Sequence, residues 1–423
     1  MPKEKIITAI DIGSSKICTI VASFTDGKIS VIGSSAIPST GIDRGVVNDI
    51  DKAVESISTS LERAEKMAGH AVSKAIITVN GQHIQSENST GVVAVSDPNG
   101  EITLQDVVRV NEAAQAISIP SNREVIHVEP RDYEVDSHGN IKNPEGMSGV
   151  RLEVEAHIIH GSSTILKNLV KCVRQVGVEV SDMVFTGLAS STSVLTDTEK
   201  ELGTVLIDMG GRTLGCVVYQ NGSPSYSFVV PVGGKHITGD LAVGLRCSLE
   251  IAEKIKIRLS RSDEDTRFPD VLGVNENRLK KGEIYLGDID PDLNTVPKKF
   301  LEKIIHDRLE EMLALIELEL SKANYLGRLP AGAIITGGAS DTINLADVAK
   351  NKLKMPVRIA RPRGLSGLID EVEGPAFSAC VGSILHKASA LDDDGSLHSS
   401  SSKSGFPGNV FLKIKNMFKF LVP

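Results

Sequence analysis

Short apolar runs separated by turn residues dominate the first 80 positions. Four of these runs predict strands: residues 6–10, 17–22, 29–32 and 75–79. Residues 51–68 instead carry apolar side chains at helical spacing, with Ile57 and Leu61 on one side. Strands that alternate with helices in this way indicate an α/β core.

The pattern changes between residues 81 and 161. Polar, turn-rich segments dominate there, and a single helix is predicted over residues 104–116. Strands are predicted at residues 125–128 and 152–159. This segment therefore reads as a small α+β subdomain inserted into the α/β core.

A second α/β pattern begins near residue 164, and its centre repeats the opening of the chain. An apolar run at 204–207 leads into a turn at 208–213, and a second run follows at 214–219. The opening turn reads Asp-Ile-Gly-Ser-Ser and its counterpart Asp-Met-Gly-Gly-Arg-Thr, which indicates an internal duplication. A third strand-to-glycine turn, residues 333–340, precedes another helix.

The last 33 positions differ in character from the rest. Residues 391–409 contain an aspartate run and a serine run, which predicts a flexible linker. At about 100° per residue, six apolar side chains then fall within an arc of roughly 120°: Val410, Phe411, Ile414, Met417, Phe418 and Leu421. Three lysines lie outside the arc: Lys413, Lys415 and Lys419.

This terminal pattern has two interpretations. A C-terminal helix could dock on the protein's own core, and without a polar tether before it that would be the default. The polar linker at 391–409 and the absence of acidic residues from position 405 onward favour an interfacial membrane helix. Each lysine contributes about 1 kcal/mol near an anionic lipid surface.

Composition and charge exclude several classes of protein. The 423 residues carry 46 Lys and Arg against 54 Asp and Glu, a net charge of −8. Nucleic acid is therefore not an expected partner, because binding it needs a basic footprint. The five cysteines are scattered without a Cys-x-x-Cys pair, which argues against a disulfide scaffold or an ordinary zinc site. Without an export signal or an apolar window of roughly 20 residues, the chain is expected on the cytoplasmic side.

The glycine turns carry the candidate chemistry. Glycine allows close backbone approach, and successive N–H groups form a concavity that binds anions. Asp11 and Asp208 would face each other across a cleft, where carboxylates suit Mg²⁺ held largely through water. The alternative is a pair of ordinary β-hairpins with Asp in their turns. The two matched copies and the third turn favour a binding site. The sequence contains no Gly-x₄-Gly-Lys-Ser/Thr loop, which argues against a P-loop nucleotidase.

These turns resemble those of the superfamily that contains actin, sugar kinases and DnaK-type chaperones. More narrowly, the chain resembles the FtsA family of bacterial cell-division actin homologues. The similarity spans nearly the full length and is carried by six stretches: residues 9–18, 41–48, 187–191, 201–208, 252–256 and 334–339.

The resemblance implies an α/β, two-lobed actin-like ATPase fold with an inserted α+β subdomain and a C-terminal amphipathic helix. It also implies a division of the chain into six parts. These are a first lobe (1–80, 162–195 and 356–390), an inserted FtsA-type subdomain (81–161), a second-lobe core (196–232 and 301–355), an outer subdomain that contacts FtsZ in the family (233–300), a flexible linker (391–409) and a membrane-targeting helix (410–423).

The resemblance further implies ATP and Mg²⁺ in the interlobe cleft. The positions that match the family's nucleotide contacts are Asp11, Gly13, Ser14, Ser15, Lys16, Asp208, Gly210, Gly211, Thr213, Gly234, Lys235, Glu253, Lys256, Gly337 and Gly338. Among them, Asp11 and Asp208 would hold Mg²⁺ through water, Glu253 and Lys256 the ribose, and the two last glycines the adenine. Glu253 and Lys256 alone would be read as a surface ion pair, since i, i+3 neighbours share a helix face. No catalytic residue is assigned.

One motif departs from the family's pattern. Where Asp-Ile-Gly-Gly-Gly-Thr-x-Asp is common, this chain has Arg212 for the third glycine and Gly215 for the last Asp. Arg212 would bring a cation near the β- or γ-phosphate, and Gly215 cannot supply a carboxylate. We expect stable ATP binding with at most slow ATPase activity.

The function implied by the resemblance is that of a tether. Such a protein polymerises on the cytoplasmic face of the inner membrane at the division septum, binds anionic lipid, holds FtsZ filaments through the FtsZ C-terminal peptide and recruits later division membrane proteins. The alternatives are a PilM-like pilus scaffold and a small-molecule kinase of the same superfold. The predicted terminal helix and the insert at 81–161 favour the tether.

Overall fold

The computed structural model describes residues 5–116, 119–261 and 282–396. The first lobe is built on a six-stranded sheet with strand order β11-β6-β1-β2-β3-β19. The strands are β1 (Lys5–Ile12), β2 (Lys16–Thr25), β3 (Lys28–Pro38), β6 (Lys74–Val79), β11 (Glu179–Phe185) and β19 (Ser366–Gly367). A small hairpin, β4 (Ile42–Asp43) and β5 (Val46–Val47), leaves the end of β3.

Helices cover both faces of this sheet, which explains why its first strands are almost continuously apolar. They are α1 (Ile50–Ala68), α3 (Ser163–Gln175), α4 (Thr186–Val194) and α10 (Ser378–Ser396). Ile10 and Ile17 pack in a cluster with α1 and α3, whereas Ala9 and Ile20 pack against α10 on the other face. Helix α1 begins at the cap Asp49, whose side chain accepts a hydrogen bond from Lys52 N–H.

The second lobe repeats the same sheet. Its strand order β14-β13-β12-β17-β18 matches β3-β2-β1-β6-β11, and the parallel and antiparallel pairings correspond one to one. The internal duplication is therefore confirmed. Its strands are β12 (Thr204–Met209), β13 (Leu214–Gln220), β14 (Ser223–Val230), β17 (Gly332–Thr336) and β18 (Val357–Ile359), with a separate pair, β15 (Glu283–Tyr285) and β16 (Thr295–Pro297). Its helices are α5 (Asp197–Leu202), α6 (Gly234–Leu245), α7 (Leu249–Arg261), α8 (Lys298–Lys322) and α9 (Leu345–Leu353).

The segment from 81 to 161 is an α+β insert, as predicted. A four-stranded sheet of order β7-β10-β8-β9 packs against one helix, α2 (Leu104–Gln115). Its strands are β7 (Gln85–Ala94), β8 (Arg123–Val135), β9 (His138–Ile141) and β10 (Arg151–Ser162). Helix α2 begins with a capping box between Thr103 and Asp106.

The insert also contacts the second lobe. The buried imidazole of His157 lies 2.7 Å from Asn88 Oδ1 through Nδ1 and 2.9 Å from Ser227 Oγ on β14 through Nε2. Burial lowers the pKa of His157 to about 3, so the ring is neutral and needs both partners. The two ends of the insert continue into the first lobe, and His157 bonds to the second lobe. The insert is therefore attached to both lobes.

Two predicted boundaries differ from the structure. Val357–Ile359, expected in the first lobe, adds to the second-lobe sheet as β18. Residues 391–396, expected in the linker, instead belong to α10, which continues to Ser396, and Leu391 packs against the first-lobe core. The rest of the linker and the predicted membrane helix, with its apolar arc and three lysines, lie outside the described residues. Within the described ranges, no helix is long and apolar enough to span a membrane.

Candidate functional site

The two repeated glycine turns have the same backbone geometry. In the first turn (residues 13–15), Gly13 N–H donates to the Lys16 carbonyl at 3.1 Å. In the second turn (residues 210–213), Gly210 N–H donates to the Thr213 carbonyl at 2.9 Å. A Cβ at either glycine would lie 2.9 Å from that carbonyl oxygen. Both turns therefore need glycine for close approach, and both direct small residues into the space between the lobes.

One cleft of about 1040 Å³ separates the lobes at these turns, and Asp11 and Asp208 both line it. Thr78 Oγ1, from the neighbouring strand β6, donates to Asp11 Oδ1 at 2.6 Å. Ser190 Oγ, from α4, donates to Asp208 Oδ2 at 2.9 Å. Each carboxylate therefore has one oxygen fixed by a hydroxyl.

The two buried carboxylates repel each other, which favours binding of a cation between them. Burial raises the pKa of Asp11, an effect that Lys16 and Thr78 offset in part. Burial and the nearby Asp11 raise the pKa of Asp208 to about 7, against the opposing effects of Ser190 and Lys16. A divalent cation between these groups would remove their repulsion.

Residues 5–116, 119–261 and 282–396 contain no cluster of three or more His, Cys, Asp or Glu side chains arranged to hold a metal. Two carboxylates suit an ion that keeps most of its water, as Mg²⁺ does.

The third glycine turn (residues 337–340) closes one side of the cleft. Gly337 has φ of +93°, and a Cβ there would lie 2.3 Å from Asp208 Oδ1 and 2.6 Å from the Met209 carbonyl. Ala339 N–H donates to that Met209 carbonyl at 2.9 Å. This turn therefore requires glycine at its first position, and Gly337 and Gly338 form a part of the cleft wall without side chains.

The start of helix α6 is attached to the second turn. Gly234 N–H donates to the Gly210 carbonyl at 3.0 Å, and Lys235 N–H donates to the Gly211 carbonyl at 2.7 Å. The Lys235 side chain reaches the other lobe, where its Nζ donates to the Ser14 carbonyl at 2.7 Å. The second turn and α6 thus form one unit that contacts the first turn.

Glu253 and Lys256 line the cleft from helix α7. Their side chains form an ion pair of 2.7 Å. Lys256 Nζ also donates to Thr238 Oγ1 at 2.9 Å and to the Gly234 carbonyl at 3.2 Å, and the Thr238 hydroxyl donates to Glu253. Lys256 is buried by these contacts, while the carboxylate of Glu253 remains half-exposed to the cleft.

Two cations of the turns have protein partners. The Lys16 ammonium donates to the Ala376 carbonyl and lies 4.0 Å from the centre of the Phe377 ring. Arg212 Nε lies 2.9 Å from Asp43 Oδ1 of the small β4–β5 hairpin. Both side chains line the cleft, but Arg212 is held by a carboxylate of the opposite lobe, a contact that the sequence did not predict.

All fifteen positions matched to the nucleotide contacts line this single cleft. The structure brings together residues from 11 to 338, which the sequence alone could relate only through the resemblance. The pattern did not single out Thr78, Ser190, Asp43 and Thr238, since hydroxyls and a carboxylate in ordinary strand, helix and loop contexts carry no distinguishing spacing.

Comparison with known proteins matches the insert and most of the second lobe to family models. A family profile described as "SHS2 domain inserted in FTSA" matches residues 81–160, and "Cell division protein FtsA" matches residues 205–382. The chain is 36% identical over 399 residues to the cell division protein FtsA of Pseudomonas aeruginosa, covering 94% of this chain and 93% of that one. It is 33% identical over 398 residues to FtsA of Escherichia coli K12, covering 90% of each.

Solved structures share the fold at low sequence identity. A PilM-PilN type IV pilus biogenesis complex matches with a TM-score of 0.59 and 14% identity, covering 90% of this chain and 98% of that one. MreB5 of Spiroplasma citri bound to AMPPNP matches with a TM-score of 0.52 and 13% identity, covering 93% and 99%. These likenesses establish an actin-like fold, and the full-length relatives decide the family. The chain belongs to the FtsA family of cell division proteins.

Proposed function

We propose that the cleft binds ATP together with Mg²⁺. The observation that carries this proposal is the pair of matched glycine turns whose two aspartates line one cleft of about 1040 Å³. That volume lies just above the range of roughly 300–1,000 Å³ typical of ligand pockets, so the cleft has room for a nucleotide. The backbone N–H groups and hydroxyls of Ser14, Ser15 and Thr213 would bind the phosphates.

The residues present also fit the ion and the nucleoside. Asp11 and Asp208 would hold Mg²⁺ largely through water, and the ion would neutralise phosphate charge. Glu253, kept in place by Lys256, would accept hydrogen bonds from the ribose hydroxyls. The adenine would pack on the side-chain-free wall made by Gly337 and Gly338.

We infer further that the protein acts as a tether in cell division. Family membership and the matched insert support this role. In this proposal the ATP-bound chain polymerises on the cytoplasmic face of the inner membrane and holds FtsZ filaments at the septum. Residues 233–300 would contribute the FtsZ-binding surface, the insert would recruit later division proteins, and residues 410–423 would bind anionic lipid. Polymerisation would strengthen the weak membrane binding of one short helix through multivalency.

One experiment tests these elements together. The purified chain is passed over an immobilised FtsZ C-terminal peptide while its nucleotide content is measured. Sedimentation with anionic vesicles is compared between the full chain and a chain lacking residues 410–423. Retention on the peptide, bound ATP and tail-dependent sedimentation are expected. Absence of binding to the peptide would contradict the proposed tethering role and favour a PilM-like scaffold. Phosphoryl transfer from ATP to a small molecule would favour a kinase.

A further inference from the structure

The ion pair between Arg212 and Asp43 crosses the cleft. Arg212 belongs to the second turn, in the second lobe, and Asp43 to the β4–β5 hairpin, in the first. Nε and Oδ1 are 2.9 Å apart, with the two side chains 37% and 41% exposed. The pair therefore lies at the rim of the cleft, where both side chains are partly exposed. Asp43 Oδ1 itself is buried and accepts no hydrogen bond, so the contact with Arg212 is an ion pair only.

Asp43 is fixed to the first lobe. Its neighbour Ile42 is buried in the first-lobe core. In the same hairpin, Gly45 N–H donates to Ser14 Oγ at 3.2 Å, and a Cβ at Gly45 would lie only 2.2 Å from the Asn80 carbonyl oxygen. The hairpin is thus packed tightly beside the first turn, and Asp43 cannot follow Arg212 if the lobes separate.

Arg212 is equally fixed to the second lobe, because the carbonyls of Gly210 and Gly211 accept hydrogen bonds from the start of α6. The tips of the two turns also touch: a Cβ at Gly211 would lie 1.8 Å from Ser15 Oγ. Lys235 Nζ reaches the Ser14 carbonyl beside this contact. Opening the cleft therefore breaks the Arg212–Asp43 pair along with these contacts.

The charges around the pair favour its closed form. Burial lowers the pKa of Lys235, and the nearby cation of Arg212 lowers it further, while Asp43 acts in the opposite direction. Asp43 thus offsets the repulsion between two cations brought together at the cleft. A glycine at position 212, common in the related motif, has no side chain to make this pair.

We propose that Arg212 and Asp43 form an interlobe latch that slows the release of nucleotide. This inference rests on the proposed binding of ATP in the cleft and adds a determinant of how long it stays there. The latch acts on opening of the lobes, not on the chemical step. Because half-exposed ion pairs contribute about 0.2–1 kcal/mol, loss of the pair is expected to speed release by about 1.5- to 5-fold.

The test uses the full-length chain and a charge-swap design. Dissociation of a fluorescent ATP analogue is followed after addition of excess unlabelled ATP, for wild type, Asp43→Asn, Arg212→Gln and the swapped Asp43→Arg/Arg212→Asp. Arg44→Gln is the matched control, because it removes an exposed cation from the same hairpin. In parallel, amide hydrogen exchange of residues 41–47 and 209–215 is measured without nucleotide.

Both single variants are expected to release the analogue faster and to exchange faster in the two segments, while Arg44→Gln behaves as wild type and the swap restores both rates. Unchanged rates in the single variants would overturn the latch, as would a swap worse than either single change. Slower release from Asp43→Asn would also overturn it, because Asp43 would then compete with phosphate for Arg212. If the wild-type chain binds no analogue, the proposed ATP site fails, but the nucleotide-free exchange rates still decide whether the pair holds the lobes together.

Discussion

The carboxylate of Glu253 lies 2.7 Å from the ammonium of Lys256, one helical turn away on α7, and Lys256 bonds in turn to the start of α6. The lysine is buried and its hydrogen bonds are directed at protein groups, whereas the carboxylate is half-exposed to the cleft. The pair is thus asymmetric: Lys256 holds two helices together, and Glu253 is the group available to a ligand.

We predict that Glu253→Ala weakens ATP binding on the order of tenfold or more, because a hydrogen bond to a charged group contributes about 1.5–3 kcal/mol. Titration with a fluorescent ATP analogue measures the dissociation constant. Glu310→Ala, an exposed glutamate on α8, is the control. An unchanged dissociation constant for Glu253→Ala would mean that the residue serves only Lys256.

A second prediction concerns the chemical step: wild type hydrolyses bound ATP slowly. Arg212 contacts Asp43 of the opposite lobe, so we do not expect it to stabilise the transition state more than the bound ground state, and only such a difference would speed the step. Gly215 pairs with Asp208 across the hairpin, and a Cβ there would lie 3.0 Å from Thr186 Oγ1 and 3.4 Å from Asn80 Nδ2. The first side-chain atom of a residue at 215 thus needs a shift of only a few tenths of an ångström in Thr186.

Single-turnover hydrolysis decides this prediction. Arg212→Gly/Gly215→Asp should hydrolyse ATP faster than wild type, and Gly215→Asp alone should supply most of the gain, since Arg212→Gly mainly removes the latch. An identical rate in wild type and the double variant would exclude this explanation for slow turnover.

The third prediction is that Phe418→Glu abolishes sedimentation with anionic vesicles and leaves ATP binding intact. Phe418 lies within the predicted apolar arc, so a charge there would have to enter the acyl chains. Asn416→Glu is the matched control: at about 100° per residue it faces the opposite side, and it should weaken binding only by the roughly 1 kcal/mol of one added charge. Equal sedimentation of Phe418→Glu and wild type would rule out the membrane helix.

The fourth prediction concerns the insert. The Asp106 side chain is fully buried. It accepts hydrogen bonds from the backbone N–H and the hydroxyl of both Ser96 and Thr103, and one from the guanidinium of Arg109. Asp106→Ala leaves these donors unpaired and should destabilise the insert by about 3 kcal/mol. Hydrogen exchange of the α2 amides measures this destabilisation and should be faster throughout the helix in Asp106→Ala. Glu112→Ala on the same helix is the control and should have little effect.

Asp106 also predicts a pH dependence. Burial alone would raise its pKa, but the hydrogen bonds and Arg109 outweigh burial and hold the pKa well below its usual range. A group with a lowered folded-state pKa stabilises above its unfolded value, and that stabilisation is lost as pH falls. Protection of α2 in wild type should therefore decrease below about pH 4, whereas Asp106→Ala should lose this dependence. The same acid sensitivity in both chains would contradict the role of this carboxylate.

Local features of the site could be read from the sequence because they are decided within a few residues. The strands at 6–10 and 17–22 are apolar on both faces, and Gly13 and Gly210 are needed by hydrogen bonds that close within four residues. The duplication added a second copy of each signal. The sequence could therefore predict that Asp11 and Asp208 face one cleft, and both side chains line it at the ends of β1 and β12.

Contacts between distant segments could not be predicted in this way. Thr78 is 67 residues from Asp11, and nothing near Thr78 marks it as a partner. The three aspartates at 392–394 resembled a linker, but α10 extends through them because Leu391 still packs on the first-lobe core. Tertiary packing thus moved the boundary that composition had set.

The packing of α10 on β1 and β2 has a consequence for synthesis of the chain. Cys380 Sγ contacts the Ala9 carbonyl at 3.4 Å across a separation of 371 residues, so these strands are covered by a helix that is made much later. At roughly 5–20 residues per second, about 20–70 s pass on the ribosome before that face of the sheet can be covered. The second lobe, whose strands all lie between Thr204 and Ile359, is complete earlier. Until α10 is made, the face of the sheet that carries Ala9 and Ile20 lacks the helix that completes its core in the folded chain.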